Sequence, residues 1–340
     1  MVYSFELIKH ANVHYREAVS VLSRCELLSM LHTLSVDCDV SVEMLGGGTF
    51  LTFECRELAP HEIIYLSGHS SVSFMAEKRP GPVLRPLSAR PVSYLPEDLP
   101  EVLKYKGKTA VPFTRMMINT AVSLTPFALS PEPLTFFDPL CGKATGCFCA
   151  LTMGMNAVGI DLDSKDLKEA ASYFTRYLKL HKLKHEVCTC SETAGKTSLP
   201  VTRFSFADTR KHYLSGNRRH LSLICADTGL SPYLFRHGCA HVVAADLPYG
   251  VQHAPKSGAK PDMISSFLKR VLPAWKSSLH PKGAVAVSFN SLTLPSRTVR
   301  TALIEAGLRP VEDDLYTNLK HNVEQAVDRD VVFALNSKEE

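Results

Sequence analysis

Four apolar segments that each close on an aspartate limit the fold of this chain more than any other feature. Thr135-Phe-Phe stops at Asp138, Ala157-Val-Gly-Ile at Asp161, Leu221–Ala226 before Asp227, and His241–Ala245 before Asp246. A fifth apolar run, Ala284–Phe289, follows. Helical spacing fills the gaps: Ser164–His181 with Ser164 as the expected N-cap, Asp262–Leu279 with a kink expected at Pro273, and Arg297–Ala306. Strands alternating with helices predict an α/β fold with a mostly parallel sheet covered on both faces. Arg309–Asp313 and Asp330–Ala334 are expected to close that sheet as an antiparallel pair. In such sheets ligands bind beyond the carboxyl ends of the strands, which is where the four acids would lie.

Length and composition leave room for more than this sheet. The 340 residues suggest about two domains; 45% hydrophobic and 21% charged residues exclude a collagen, a coiled-coil rod and a disordered chain. Six prolines between Arg79 and Glu101 argue against a helix or central strand, so residues 79–101 read as an extended linker. Residues 1–78 then form a small α+β domain: strands at Tyr3–Ile8 and Thr49–Phe53, a helix over Tyr15–Leu31 and a turn at Gly46-Gly47-Gly48. Residues 102–340 form the larger domain. The N-terminus lacks the pattern of an export signal, and no run approaches a membrane span, so a cytoplasmic chain with no membrane partner is expected. Ten cysteines then read as thiols in a reducing compartment. The net charge of +4 is too small to imply a nucleic-acid partner by itself.

The chemistry lies in the turns after the strands. Asp138-Pro-Leu-Cys-Gly142-Lys-Ala-Thr145 leaves a strand, turns tightly and enters a helix, whose N-terminal N–H groups favour an anion. Asp161, about twenty residues on, can accept from both hydroxyls of a ribose, with Leu162 packing on the attached base. Asp163 is expected to be a helix-start residue. Asp227 suits the base's amino group. Asp208, in a similar Phe-Ala-Asp-Thr run, competes for that role but belongs to an extra segment, Leu183–His220, whose purpose the sequence does not reveal. Asp246-Leu247-Pro248-Tyr249 sets an acid before a rigid turn and an aromatic ring. That suits an exocyclic amine: the carboxylate and a backbone carbonyl accept its two N–H bonds while Tyr249 stacks on the base.

The four motifs together resemble a class I S-adenosylmethionine-dependent methyltransferase, and more narrowly the THUMP-associated tRNA guanine-N2 methyltransferases and their bacterial relatives. Tyr105-Lys-Gly-Lys-Thr, Phe113-Thr-Arg and the tail from His321 to Asp330 add to the likeness, which covers roughly residues 102–340. The resemblance implies a Rossmann-like sheet with an antiparallel last strand and S-adenosyl-L-methionine as cofactor. Asp138, Gly142 and Thr145 would line its methionine end, Asp161 and Leu162 its ribose and adenine, Asp227 the adenine, with Phe113 and Thr114 nearby. Asp246, Leu247, Pro248 and Tyr249 would form the target-base pocket. It implies an RNA substrate, tRNA foremost, and a possible RNA-docking role for residues 1–78. Two departures stand out: Ala144 where the family pattern has glycine, and Leu247 where it has a first proline.

Other readings compete. An adenine-N6 methyltransferase on DNA or rRNA would use the same acid–x–Pro–Tyr pocket. An inactive RNA-binding scaffold would keep the fold. A nucleotide-dependent oxidoreductase is disfavoured, since Cys-Gly-Lys-Ala-Thr is not its Gly-x-Gly-x-x-Gly turn. His181, His185, Cys188 and Cys190 lie too close together for the common zinc spacings, so no metal is expected. Cys141, Cys147 and Cys149 are expected to pack beneath the turn. Lys165, Lys168, Arg176, Lys179, Lys182 and Lys184 read first as a solvated face. Lys256 and Lys260 are better placed for a nucleic-acid backbone.

Overall fold

The structure, a computed structural model, describes residues 1–9, 13–81, 83–88, 93–194, 197–234, 238–248, 261–324 and 327–336. The N-terminal unit runs β1 (Val2–Leu7), α1 (Val13–Thr33), β2 (Val40–Leu45), β3 (Gly48–Glu54), α2 (Pro60–Leu66), β4 (Val72–Arg79) and β5 (Val83–Pro86). Its antiparallel sheet has the order β2-β3-β1-β4-β5. Two helical crossovers about a central hairpin make the first four strands a ferredoxin-like split βαβ unit. β5 corrects the linker reading, because residues 83–86 pair with β4 from Ala76↔Pro86 to Arg79↔Val83. The prolines permit this because β5 is an edge strand, where an N–H can be missing without breaking a ladder.

The larger sheet contains β6 (Thr135–Asp138), β7 (Asn156–Asp161), β8 (His185–Ala194), β9 (Thr197–Phe206), β10 (Arg219–Cys225), β11 (Ala240–Asp246), β12 (Leu279–Asn290), β13 (Arg309–Pro310), β14 (His321–Glu324) and β15 (Val327–Leu335). Their order is β13-β15-β12-β11-β6-β7-β10-β9-β8, with β14 beside β15. β6, β7, β10, β11 and β12 are parallel; β15 is antiparallel to β12 and β13 to β15. This is the expected Rossmann-like sheet with an antiparallel closing strand. The long helices are α3 (Val111–Ser123), α4 (Thr145–Thr152), α5 (Ser164–Leu180), α6 (Pro261–Ser278) and α7 (Ser296–Glu305). The central strands are apolar on both faces, as in Val242, Val243, Ala244 and Ala245 of β11, because helices cover both sides. Strand order reverses between β6 and β11, which places a crevice above their carboxyl ends.

The unread segment Leu183–His220 forms the hairpin β8–β9, which extends the sheet antiparallel beyond β10. α5 buries Leu167, Ala170, Phe174, Tyr177 and Leu178 at helical spacing. Its N-cap is Asp163, not Ser164. The Asp163 backbone is extended, and its carboxylate accepts from the Lys165 and Asp166 N–H groups.

One hydrophobic cluster runs through both sheets, joining Phe5, Leu27, Leu31 and Phe53 to Phe113, Met117 and Phe333. Between them lies a buried polar knot. Glu26 of α1 accepts from the Ser70 N–H (2.7 Å), the Ser70 hydroxyl and Asn119 Nδ2 of α3 (2.6 Å).

Candidate functional site

The parallel strands deliver their acids to one edge. Asp138 ends β6 beside Gly159 of β7, Asp161 ends β7 beside Cys225 of β10, and Asp246 ends β11 beside Ser288 of β12. Asp227 follows β10 by two residues. The Ala226 N–H donates to the Asp161 carbonyl and keeps that corner together (3.0 Å). Asp208 lies at the other edge. β9 is antiparallel to β10, so residues after Phe206 emerge beside Arg219, at the start of β10. There Asp208 contacts His212 (2.7 Å).

The turn after β6 rests on Asp161, whose Oδ2 accepts from the Gly142 N–H (2.8 Å) and Oδ1 from Asp163 N–H (2.9 Å). Each oxygen keeps a lone pair for a further donor. Gly142 has φ +48°, and a Cβ there would meet nothing within 4 Å, so bare backbone faces open space. Ala144, the first departure, adopts the left-handed conformation itself (φ +64°) and is fully buried. An alanine there costs about 1–2 kcal/mol relative to a right-handed residue. The turn therefore keeps its shape without the second glycine. Beneath it, Cys141, Cys147 and Cys149 are buried, and burial pushes their thiols up, Cys149 to about 12. A Cβ on Gly159 would approach the Cys141 sulfur at 2.8 Å, so this strand position is reserved for glycine.

Asp138 is buried under the start of α4, with Oδ1 accepting from the Leu140 N–H (3.2 Å). Burial foremost, then the neighbouring Asp161 and Asp246, raises its pKa to about 8. Gly146 allows that approach, since a Cβ there would sit 2.5 Å from Asp138 Oδ2. Thr145 shares a hydrogen bond with the Tyr105 hydroxyl (2.7 Å), and Lys143 lies over the Tyr105 ring (5.2 Å) while pairing with Glu169 (2.6 Å). Leu162 is 72% exposed at the lip, an apolar surface available to a planar ring. Asp227 pairs with Arg270 of α6 (2.8 Å), which holds its carboxyl below the usual range. Arg270 and the Gly229 N–H both bond Oδ1, and no bond from a described residue reaches Oδ2.

Asp246 sits in a cradle drawn from three other segments. Ser288 donates to Oδ1 (2.8 Å), Thr109 donates to Oδ2, and Arg329 of β15 lies 3.7 Å from Oδ2. Arg329 is 5% exposed, and its guanidinium stacks 4.7 Å from the Phe113 ring. Phe113 and Thr114 lie in the first turn of α3. Phe113 is buried and touches the site through Arg329, and the Thr114 hydroxyl donates to the Ala110 carbonyl. From that segment Tyr105 and Thr109 reach the turn and the acid, beside a cavity of about 200 Å³ that they line with Glu101, Lys104 and Lys108. Leu247, the second departure, is buried and donates its N–H to the Ser288 carbonyl (2.8 Å), a bond proline cannot make. Pro248 follows, exposed. Tyr249, Lys256 and Lys260 lie outside the described residues.

Thr109, Ser288, Arg329 and Gly146 were not singled out from the sequence. Thr109, Arg329 and Gly146 lie inside or at the end of the motifs quoted above, in Tyr105-Lys-Gly-Lys-Thr, the His321–Asp330 tail and the turn after Asp138; Ser288 comes only from strand pairing over a long sequence distance. Among the described residues no group of three or more His, Cys, Asp or Glu side chains is placed to hold a metal ion, and no helix is long and apolar enough to cross a membrane. The edge therefore offers a row of carboxylates, an open backbone turn and an exposed apolar lip. These suit a nucleoside with a cationic end, next to a braced carboxylate.

No family model and no curated protein matches the chain. Among solved structures it is similar to TrmN from Thermus thermophilus, with 16% identity and a TM-score of 0.40, over 88% of this chain and 59% of that one. It is similar to the rRNA methyltransferase AviRa from Streptomyces viridochromogenes, with 15% identity and a TM-score of 0.39, over 68% of this chain and 88% of that one. A TehB-like SAM-dependent methyltransferase from Corynebacterium glutamicum has 13% identity and a TM-score of 0.34, over 64% of this chain and 87% of that one. The chain spans about three fifths of the TrmN chain's length.

Proposed function

We propose that this chain transfers a methyl group from S-adenosyl-L-methionine to an exocyclic amino nitrogen of a nucleic-acid base, guanine N2 in tRNA being the preferred target. The observation that carries the proposal is the Asp246 carboxylate, braced by Thr109, Ser288 and Arg329 one strand away from the open Gly142 turn. The methyl donor supplies an electrophilic methyl group on a cationic sulfur. Asp138 and the Gly142–Thr145 turn would hold its methionine end, Asp161 its ribose hydroxyls, and Leu162 and Asp227 its adenine.

An exocyclic amine is a poor nucleophile because its lone pair is delocalised into the ring. Asp246 accepts one N–H, and a backbone carbonyl of the Leu247–Pro248 turn accepts the other. That turns the nitrogen lone pair toward the methyl group and stabilises positive charge as it develops. Tyr249 would stack on the base. A base within a helix is out of reach, so the target is unpaired or flipped out.

Incubation with tritiated donor and separate tRNA, rRNA and DNA pools, followed by nucleoside mass spectrometry, tests the proposal. N2-methylguanosine in tRNA is the expected product. N6-methyladenosine in rRNA or DNA would transfer the reading to the rival that uses the same pocket. Donor binding with no methylated product would favour an RNA-binding scaffold. The ten unpaired cysteines fit work in a reducing cytoplasm.

A further inference from the structure

We infer that the solvent face of α5 is a track for the phosphate backbone of the nucleic acid, leading away from the candidate site. The inference rests on the nucleic-acid substrate proposed above and names where that substrate lies.

Lys165, Lys168, Arg176 and Lys179 are all exposed. At 100° per residue they fall within about 80° of arc, opposite the face that buries Leu167, Ala170, Phe174 and Leu178. Lys182 and Lys184, also exposed, continue the run beyond the helix. An ordinary solvated face carries both signs of charge. Here every exposed ionisable side chain of the helix is a cation. The two acids within the helix, Asp166 and Glu169, are half-buried and turn to Lys143 of the donor turn. None of the six cations forms an ion pair with a described residue, so their charge is available to a ligand.

Position and length support a backbone ligand. The helix starts at Asp163, two residues from Asp161, so Lys165 stands at the rim of the site. From Lys165 to Lys179 the axis covers about 21 Å, the rise of roughly six phosphates along one duplex strand. The N-terminal unit, by contrast, is a poor polyanion surface. Residues 1–78 hold ten acidic and five basic side chains, in a chain whose total charge is +4. The positive charge is thus concentrated on the larger unit, and this stripe is a continuous exposed run of it next to the site.

The test is a fluorescence-anisotropy titration of fluorescein-labelled tRNA transcript, without methyl donor, at several salt concentrations. It compares the full chain with Lys165→Gln/Lys168→Gln/Arg176→Gln/Lys179→Gln and with a control neutralising exposed Lys9, Lys282 and Arg297. Circular-dichroism melting checks that each variant folds. The stripe variant should bind about 10²–10³-fold more weakly at 0.1 M salt, with a log–log salt slope shallower by about 3, and the control should resemble the parent. Equal losses in both variants, no loss in the stripe variant, or no tRNA binding by the parent at low salt would each overturn the inference. So would binding to phosphatidylserine vesicles that the stripe variant loses while keeping tRNA, since the stripe would then be a membrane face. The titration needs no methyl transfer, so failure of the proposed chemistry with an intact salt response would leave the track standing.

Discussion

Asp246 and Asp138 show how two aspartates at neighbouring strand ends come to differ. Among the described residues, Asp246 accepts from the Thr109 and Ser288 hydroxyls and faces the Arg329 guanidinium. Asp246→Asn should therefore keep donor affinity while lowering single-turnover methylation by about 10²–10³, because the charge lost acts mainly in the transition state. Arg329→Gln should lower the rate in the same direction, and Arg329→Lys should restore little of it, since an ammonium cannot stack on Phe113 while spanning to Oδ2. Asp138 is buried with one backbone donor, and its pKa rises to about 8. A raised carboxyl favours the protonated folded state. Its contribution to stability is fully present below about pH 4 and is lost as pH rises through about 8. Unfolding free energy of the parent should thus fall between pH 5 and 8 more steeply than that of Asp138→Asn. A cationic donor end beside Asp138 would displace the proton. Calorimetry at pH 7 in buffers of differing ionisation enthalpy should then show proton release in the parent and little in the variant.

At the level of elements, strand direction assigns chemistry. Asp227 follows a parallel strand and lies at the site edge; Asp208 follows an antiparallel one and lies at the opposite edge. Asp161→Ala should weaken donor binding by about 1.5–3 kcal/mol, as for other hydrogen bonds to a charged group, and Asp208→Ala should leave calorimetric affinity unchanged. Equal sensitivity of the two would overturn the edge assignment. The same contrast explains what was legible in the sequence. The parallel strands were readable because burial on both faces makes them continuous apolar runs, and their acids were readable because each ends such a run. The hairpin β8–β9 was not, because β8 is an exposed edge, with Glu186, Cys188 and Thr189 facing solvent in place of an apolar stripe. β5 was hidden by prolines that an edge strand tolerates. The bracing of Asp246 was harder to read: Thr109 and Arg329 stand inside quoted motifs, but it takes sheet order, and the loop before α3, to bring them to Asp246 beside Ser288, which no local pattern records.

Across the whole molecule, the two sheets are separate in sequence but not in packing. A catalytic fragment beginning near Glu101 retains every residue proposed to touch the donor, which at first suggests that it would bind on its own. The shared core argues otherwise. α3 packs against α1, so removing residues 1–78 opens the joint cluster along α3 and leaves Asn119 without Glu26. Tyr316 would also lose the Ser29 hydroxyl that donates to it (3.2 Å). Exposing several large apolar side chains costs about 1.5–3 kcal/mol each, against a total stability of roughly 5–15 kcal/mol for a domain. The fragment should accordingly melt well below the full chain, or aggregate, and bind donor weakly. Glu26→Ala separates this effect from any RNA contact in the N-terminal unit. It leaves the buried Ser70 N–H without its acceptor, costing about 1–3 kcal/mol, while Asn119 keeps the Gly68 carbonyl (3.0 Å) and the Ser70 hydroxyl keeps Ser71 (3.2 Å), and it alters nothing at the site edge. Its melting temperature should fall, while donor affinity below the melt stays that of the parent. A fragment as stable as the full chain, with parent-like donor affinity, would mean that the cluster across the two sheets contributes little, and that the N-terminal unit is a separable attachment.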